Sequence, residues 1–293
     1  MTFDHNYLPP RVIAEIGCNH MGEFDKAKEL LKLAKDCGAD YGKFQKRNNR
    51  ELLTEEQYNA PHPVPHNSYG DTYGAHREFL EFTAEQHAEL KAYAESIGLG
   101  YATSVWEAIS AREIAALKPD FIKVPSACNN NYEMLAILRD EYAGDVHIST
   151  GMTKLDEIEQ FVSFFEEKDA GKRLVVYNCT SGYPVPFEDV CLLEIVRLFK
   201  LFGDRVQHIG FSGHHLGISV DIAAYTLGAN WVERHFTKDR TWKGTDHAAS
   251  LEPPGMSKLV RNLQQAHTAL SYKPTEILDI EMVQREKLKN RKG

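Results

Sequence analysis

Short β-branched or aromatic runs alternate with longer helical patterns along almost the whole chain, and this alternation limits the possible folds more than any other feature. Strand-like runs fall at residues 12–17, 41–45, 99–105, 121–126, 146–150, 174–180, 208–213 and 231–237. Helical patterns lie between and after them, near 25–37, 84–96, 106–117, 132–141, 154–167, 187–201, 217–227 and 255–270. In the first of these Ala27, Leu30, Leu31 and Ala34 share one stripe, and Gly38 is placed to cap the end. Strict alternation implies a parallel sheet. Eight repeats in 293 residues predict a closed (β/α)8 TIM barrel, a single domain spanning 1–270. An open doubly wound sheet is the competing reading, but no G-x-G-x-x-G follows the first strand.

The length suits one domain with a large core, and no apolar run is long enough to cross a bilayer. The start, Met1-Thr2-Phe3-Asp4-His5, lacks the basic and apolar regions of a signal peptide. Five cysteines, odd in number and without a C-x-x-C pair, suit reduced thiols in a cytoplasmic protein. A net charge of −8 argues against a nucleic-acid surface, so any anion must be bound in a local basic pocket. One connection, 46–82, is long and carries Pro61, Pro63, Pro65, Gly70 and Gly74. On the C-terminal face of a barrel such a loop is a lid, or else an excursion that helps an oligomer pack. The segment 271–293 is read as a charged tail forming a frayed helix.

Barrel active sites are built at the C-terminal ends of the strands. Those ends carry Glu15, with Asn19 and His20 beyond; Lys43 and Gln45; Thr103 and Ser104; and Lys123 and Ser126. The later ones carry Ser149 and Thr150; Asn178, Thr180, Ser181 and Tyr183; Ser212 and His214; and Glu233 and His235, with Asp246 beyond. Two buried ammonium groups need anionic partners. Few acids stand at these positions, so a ligand is the expected partner, and lysines with hydroxyls form a phosphate or carboxylate cradle. The competing reading makes each lysine an interior ion pair with Glu15 or Glu233. His214 and His215 point to opposite faces, so at most one enters the barrel. Histidines from the last two strands can hold a divalent metal, Mn²⁺ or Mg²⁺, that leaves positions open for substrate oxygens. Glu15 or Asp246 could then move protons. Glu233 could orient His235, and the run Ser149–Thr153 could simply cap the following helix.

The motifs Ala14-Glu15-Ile16-Gly17-Cys18-Asn19-His20, Lys43-Phe44-Gln45, Ile122-Lys123-Val124-Pro125-Ser126 and Ser149-Thr150-Gly151-Met152 resemble those of the sialic acid synthase (N-acetylneuraminate synthase) family. So do Cys179-Thr180-Ser181-Gly182-Tyr183-Pro184, Leu216-Gly217-Ile218, Glu233-Arg234-His235-Phe236-Thr237 and Asp246-His247-Ala248-Ala249-Ser250-Leu251-Glu252-Pro253. The resemblance implies a (β/α)8 barrel that condenses phosphoenolpyruvate with the open-chain aldehyde of an N-acylhexosamine, such as N-acetylmannosamine, and releases phosphate. It implies His214 and His235 as metal ligands. It implies Lys43, Thr103, Lys123, Ser126, Ser149, Ser181 and Ser212 as the phosphoenolpyruvate cradle. Gln45, Tyr183 and Asp246 are implied as sugar-facing groups, and Glu15 as the carboxylate that assists water attack. A homodimer is expected.

This sequence departs from the family pattern in three ways. Cys128 stands where an acid is usual, and Gly213 stands where the family's Ser-Asp-His has its aspartate. The chain is also expected to be a barrel-only member without the family's small C-terminal antifreeze-like domain. Competing functions are another phosphoenolpyruvate–aldose synthase of the 3-deoxy-octulosonate or heptulosonate type, a Schiff-base aldolase using Lys43 or Lys123, and a non-catalytic sugar-binding barrel.

Overall fold

In the computed structural model, which describes residues 7–289, eight parallel strands close into a barrel in sequence order. They are β1 (Arg11–Gly17), β2 (Tyr41–Lys46), β3 (Gly100–Val105), β4 (Phe121–Val124), β5 (Asp145–Ser149), β6 (Leu174–Cys179), β7 (His208–Gly213) and β8 (Trp231–His235). The expected (β/α)8 barrel is therefore the fold. The ends of the chain, residues 1–6 and 290–293, lie outside the described residues, and with them the expected leaderless start and the last part of the charged tail. Among the described residues no helix is long and apolar enough to cross a membrane.

Alternation along each strand sorts the side chains into two layers. Outward-facing residues such as Ala14, Ile16 and Phe44 pack beneath α1 (Phe24–Asp36) and its neighbours, and those around Val124, Ile148 and Val176 pack beneath the helices on the other side. Inward-facing Ile13, Ala102, Phe121, Val175, Tyr177 and Trp231 fill the lower barrel. His147 stacks on Phe121 at 3.8 Å and takes a 2.8 Å hydrogen bond from the Tyr177 hydroxyl, which closes this aromatic floor. Burying each such aromatic ring contributes roughly 1.5–3 kcal/mol. The floor leaves only the upper layer of the barrel for polar groups.

The segment 46–82 is not structureless. It holds three short helices, α2 (Asn49–Leu52), α3 (Glu55–Asn59) and α4 (Tyr73–Leu80). Each begins at a side-chain cap: Asn48 accepts from the Arg50 and Glu51 amides, Thr54 from Gln57, and Thr72 from Ala75. The two ends of the segment are tied together, since the Arg47 amide donates to Glu81 at 2.9 Å and its guanidinium meets the same carboxylate at 3.3 Å.

The helices that follow are α5 (Ala84–Ser96), α6 (Ala108–Ala116), α7 (Tyr132–Asp140), α8 (Leu155–Glu166), α9 (Leu193–Phe202), α10 (Ser219–Thr226), α11 (Pro253–Ala269) and α12 (Asp279–Leu288). The helix expected from residue 187 starts later, because Pro186 leads only into a single 3₁₀ turn at Phe187–Asp189. Behind β7 and β8, the Arg234 guanidinium holds Asp221 of α10 at 2.6 Å and both are fully buried. His215 joins them, 3.2 Å from Asp221.

Candidate active site

Strand register sets the upper polar layer. Glu15 of β1 is level with Lys43 of β2 on one side and His235 of β8 on the other. Cys179, Ser212 and Glu233 are level across β6, β7 and β8, and Ser104 is level with both Gln45 and Lys123. These side chains line a cavity of about 360 Å³ at the C-terminal mouth.

Both interior lysines have protein partners. Lys43 pairs with Glu15, donates to the Ser104 hydroxyl at 2.7 Å and lies 3.7 Å from Glu233. Lys123 meets Glu233 at 2.6 Å and sits 4.5 Å above the Tyr177 ring. Of the two readings of the lysines, the interior ion pairs with Glu15 and Glu233 are the ones present: two carboxylates face two ammonium groups, and the resting cavity is balanced. Burial pushes the Lys123 ammonium below its ordinary value, and Glu233 partly offsets this. Burial alone would raise the Glu233 carboxyl, but Lys123 and then Lys43 hold it well below the usual range. Glu15 also accepts from Gln45 at 2.7 Å, and the Arg47 guanidinium donates to Gln45 in turn.

Gln45, Lys123, Ser126, Ser149, Ser181, Tyr183, Ser212, His214 and His235 all line this cavity with Glu15 and Lys43. Thr103 does not. It pairs with Phe44 on the outer phase of the sheet, is fully buried and donates to the Tyr101 hydroxyl at 3.2 Å. Its expected place is taken by Ser104. Asp246 stands at the edge, where it accepts from Thr245 at 3.0 Å and reaches within 3.7 Å of the point where a Cβ on Gly17 would lie. Burial would raise its carboxyl, but His235, the Thr245 hydroxyl, Arg77 and Arg47 hold it low. Asn19 and His20 serve the scaffold instead. Asn19 donates to Phe236 and Ser250, and His20 stacks on Phe82 at 4.2 Å.

The His214 and His235 rings lie 5.4 Å apart, with Tyr183 4.2 Å from His214. The His214 Nδ1–H donates to the Thr180 carbonyl at 3.1 Å, which leaves Nε2 as the lone-pair nitrogen. Burial, and then His235 opposite, lowers His214 to about 3, so its ring is neutral near pH 7. The His235 Nδ1 is buried without a hydrogen-bond partner among the described residues. Such an orphaned nitrogen is what a ligand nitrogen looks like before its ion is present. No group of three or more His, Cys, Asp or Glu is arranged as a metal cage among the described residues. Two imidazoles alone would leave most positions of an octahedral ion to water and substrate oxygens.

The two departures inside the barrel have structural explanations. Cys128 is buried in the core beneath the rim and is absent from the cavity wall. A Cβ on Gly213 would press on His215 and Phe211 at 2.8 Å, so an aspartate there would displace the buried His215–Asp221–Arg234 group. Arg47, Trp106, Met152 and Cys179 are site neighbours that the strand-end reading missed. Arg47 and Trp106 continue the inward phases Lys43–Gln45 and Ala102–Ser104 by two residues, a signal present in the alternation itself.

Several known proteins are similar to this chain. Human N-acetylneuraminate-9-phosphate synthase is 39% identical over 280 residues, covering 96% of this chain and 76% of that protein. N,N'-diacetyllegionaminic acid synthase of Campylobacter jejuni is 30% identical over 263 residues, covering 88% and 77%. A crystal structure of N-acetylneuraminic acid (sialic acid) synthetase from Leptospira borgpetersenii, in complex with citrate, superimposes with a TM-score of 0.80 at 25% identity, covering 98% of this chain and 94% of that one. The NeuB family profile matches residues 30–274, and with the barrel and its strand-end motifs this places the chain in the NeuB family of sialic acid synthases.

Proposed function

We propose that the protein condenses phosphoenolpyruvate with an N-acylhexosamine to give a sialic-acid-like 2-keto-3-deoxy sugar acid and phosphate. The observation that carries this reading is one cavity in which Lys43, Lys123, Ser126, Ser149, Ser181 and Ser212 converge beside His214 and His235. His214 and His235 would hold a divalent metal, which when bound polarises the acceptor aldehyde. The polyanionic phosphoenolpyruvate gives Lys43 and Lys123 new partners in place of Glu15 and Glu233, with serine hydroxyls donating to the remaining oxygens. Drawing Lys43 towards the ligand frees the Glu15 carboxylate, while Gln45 keeps it oriented.

The methylene carbon of phosphoenolpyruvate forms the new C–C bond to the aldehyde carbon as the aldehyde π pair moves onto its oxygen, and C2 becomes an oxocarbenium centre. Glu15 accepts a proton from water as the water adds to C2, and that proton passes to the new alkoxide. The C2 hydroxyl of the tetrahedral product then gives its proton to the departing phosphate as the bond from C2 to the phosphate oxygen breaks, leaving the ketone. Asp246 and Tyr183 face the sugar. Five free cysteines support a reducing, cytoplasmic setting. The exposed Met152, Phe187 and Leu193 support closure of the rim by a second copy in a homodimer.

The test is phosphate release from phosphoenolpyruvate with Mn²⁺ across a panel of N-acylated and plain aldoses. Turnover with an N-acylhexosamine that EDTA abolishes is expected. Glu15→Gln is expected to cut kcat by roughly 10²–10⁴-fold while calorimetry still detects phosphoenolpyruvate binding. Unchanged turnover in this variant would remove Glu15 from the mechanism. Trapping by borohydride with pyruvate would show a Schiff-base aldolase instead.

A further inference from the structure

The inward phase of β2 does not stop where the strand stops. Lys43, Gln45 and Arg47 stand two positions apart, so the polar row runs from the barrel interior onto the rim. The first two both hold Glu15. Lys43 pairs with its Oε2, and the Gln45 Nε2–H donates to its Oε1 at 2.7 Å. Arg47 stands behind Gln45, where its Nη2–H donates to the Gln45 Oε1.

The guanidinium is itself fixed. Arg47 is 5% exposed, and Glu81 accepts from its backbone amide at 2.9 Å and from its Nη1 at 3.3 Å. The Trp106 ring, part of the cavity wall, lies 4.1 Å from its Cζ, and the Cys18 Sγ accepts from Nη1 at 3.6 Å. Two of these neighbours, Glu81 and Trp106, come from outside β2 and clamp the side chain in one place.

This clamp decides which way Gln45 is turned. A glutamine amide has nearly the same shape in its two orientations, one offering oxygen where the other offers N–H. A guanidinium carries five N–H donors and no acceptor, so the end of Gln45 that faces Arg47 must be the oxygen. The NH₂ end is thereby turned to Glu15, whose ionised carboxylate only accepts. The opposite orientation would set N–H against N–H at Arg47 and oxygen against oxygen at Glu15. Donation therefore runs one way, from Arg47 to Gln45 and from Gln45 to Glu15, and Glu81 anchors the far end.

We propose that Arg47 is a positioning residue for the condensation: it locks the Gln45 amide, and through it the Glu15 carboxylate that takes the proton of the attacking water. The inference rests on the role of Glu15 proposed above. It gains weight at the moment Lys43 turns to phosphoenolpyruvate, because Gln45 is then the group that still orients Glu15. It also puts the base of the 46–82 segment, where Glu81 holds Arg47, in control of a carboxylate inside the barrel.

The experiment measures phosphate release by the full chain with phosphoenolpyruvate, Mn²⁺ and an N-acylhexosamine. Arg47→Met keeps a long apolar stem against Trp106 and removes every donor. It is expected to lower kcat roughly 10–100-fold, the effect of losing one hydrogen bond that serves a charged group, while KM for phosphoenolpyruvate moves less than about twofold. Arg47→Lys retains a donor and should restore part of kcat. Glu81→Gln, which loosens the guanidinium without removing it, should lower kcat in the same sense by less. Because Arg47 acts through Gln45, adding Arg47→Met to Gln45→Leu should cost less than about a further twofold. An unchanged kcat in Arg47→Met, a rise in KM with kcat retained, or losses that multiply in the double variant would overturn the positioning role. If the wild type releases phosphate with no aldose, the condensing reading fails, and a crystal structure of Arg47→Met decides whether Arg47 sets the Gln45 amide. Gln45 turned away from Glu15 upholds that, and Gln45 still within hydrogen-bond reach of Glu15 rejects it.

Discussion

The paired lysines and glutamates allow a quantitative test of what holds the cavity together. Lys123 is 3% exposed and Glu233 is 5% exposed, and they meet at 2.6 Å. Ser212 lies 3.4 Å from the ammonium and 3.2 Å from the same carboxylate oxygen. Glu233→Gln removes the charge and nearly keeps the shape, leaving Lys123 buried without its counter-ion. Breaking a buried pair from one side costs about 3–5 kcal/mol. Lys123→Met leaves Glu233 with only Ser212 and the more distant Lys43, at 3.7 Å, and falls in the same range. Removing both charges leaves neither stranded, so the double variant should be destabilised by much less than the sum of the singles. The expected coupling is about 3 kcal/mol. Equilibrium chemical unfolding of the ligand-free protein at pH 7, followed by circular dichroism, measures all four corners of the cycle. Single-variant costs that add within about 0.5 kcal/mol would refute the coupled pair. A second arm adds phosphoenolpyruvate, which should stabilise Glu233→Gln more than the wild type because an unpaired ammonium awaits it.

Two further outcomes are expected. A methyl group at Gly151 would overlap the Ser181 hydroxyl and come within 2.9 Å of that of Ser126, so Gly151→Ala should raise KM for phosphoenolpyruvate at least about tenfold, and an unchanged KM in the phosphate-release assay would show that these hydroxyls do not bind it. His87 is fully buried, accepts from the Tyr101 hydroxyl at 2.6 Å and is pushed by burial from 6.5 down to about 3. Below pH 6.5 the unfolded chain takes up this proton and the folded protein does not, so stability falls as the pH drops from 6.5 towards 3, by up to about 1.4 kcal/mol per pH unit. His87→Phe should make the dependence of unfolding free energy on pH shallower by up to that amount between pH 6 and pH 4, and identical slopes would contradict the assignment.

The barrel was readable because parallel strands buried on both faces need β-branched and aromatic residues, and their crossovers need amphipathic helices. Site positions were readable where one phase of a strand was clearly polar, as in Lys43 and Gln45 flanking Phe44. They were ambiguous in β3, where Thr103 and Ser104 offer a hydroxyl on each face. Only the register with Gln45 shows that Ser104 looks inward. The counter-charges stayed open between a ligand and Glu15 or Glu233, because Glu233 and Lys123 lie 110 positions apart and only the closed sheet brings them together. The short helices of 46–82 went unseen because four to eight residues show no amphipathic period; their caps at Asn48, Thr54 and Thr72 were the only local sign.

The ion pair between Arg47 and Glu81 has a consequence for how such a protein changes over generations. It pins both ends of a long surface segment to fixed points on the rim, so the cost of closing that loop is met at the base. Doubling the length of a closed loop adds only about 0.6 kcal/mol. Insertions and wholesale replacements between residues 47 and 81 are therefore insulated from β2, and from the lysine that β2 carries. One catalytic barrel can acquire a new wall for a differently decorated sugar, while the half of the site that handles the common partner is inherited intact.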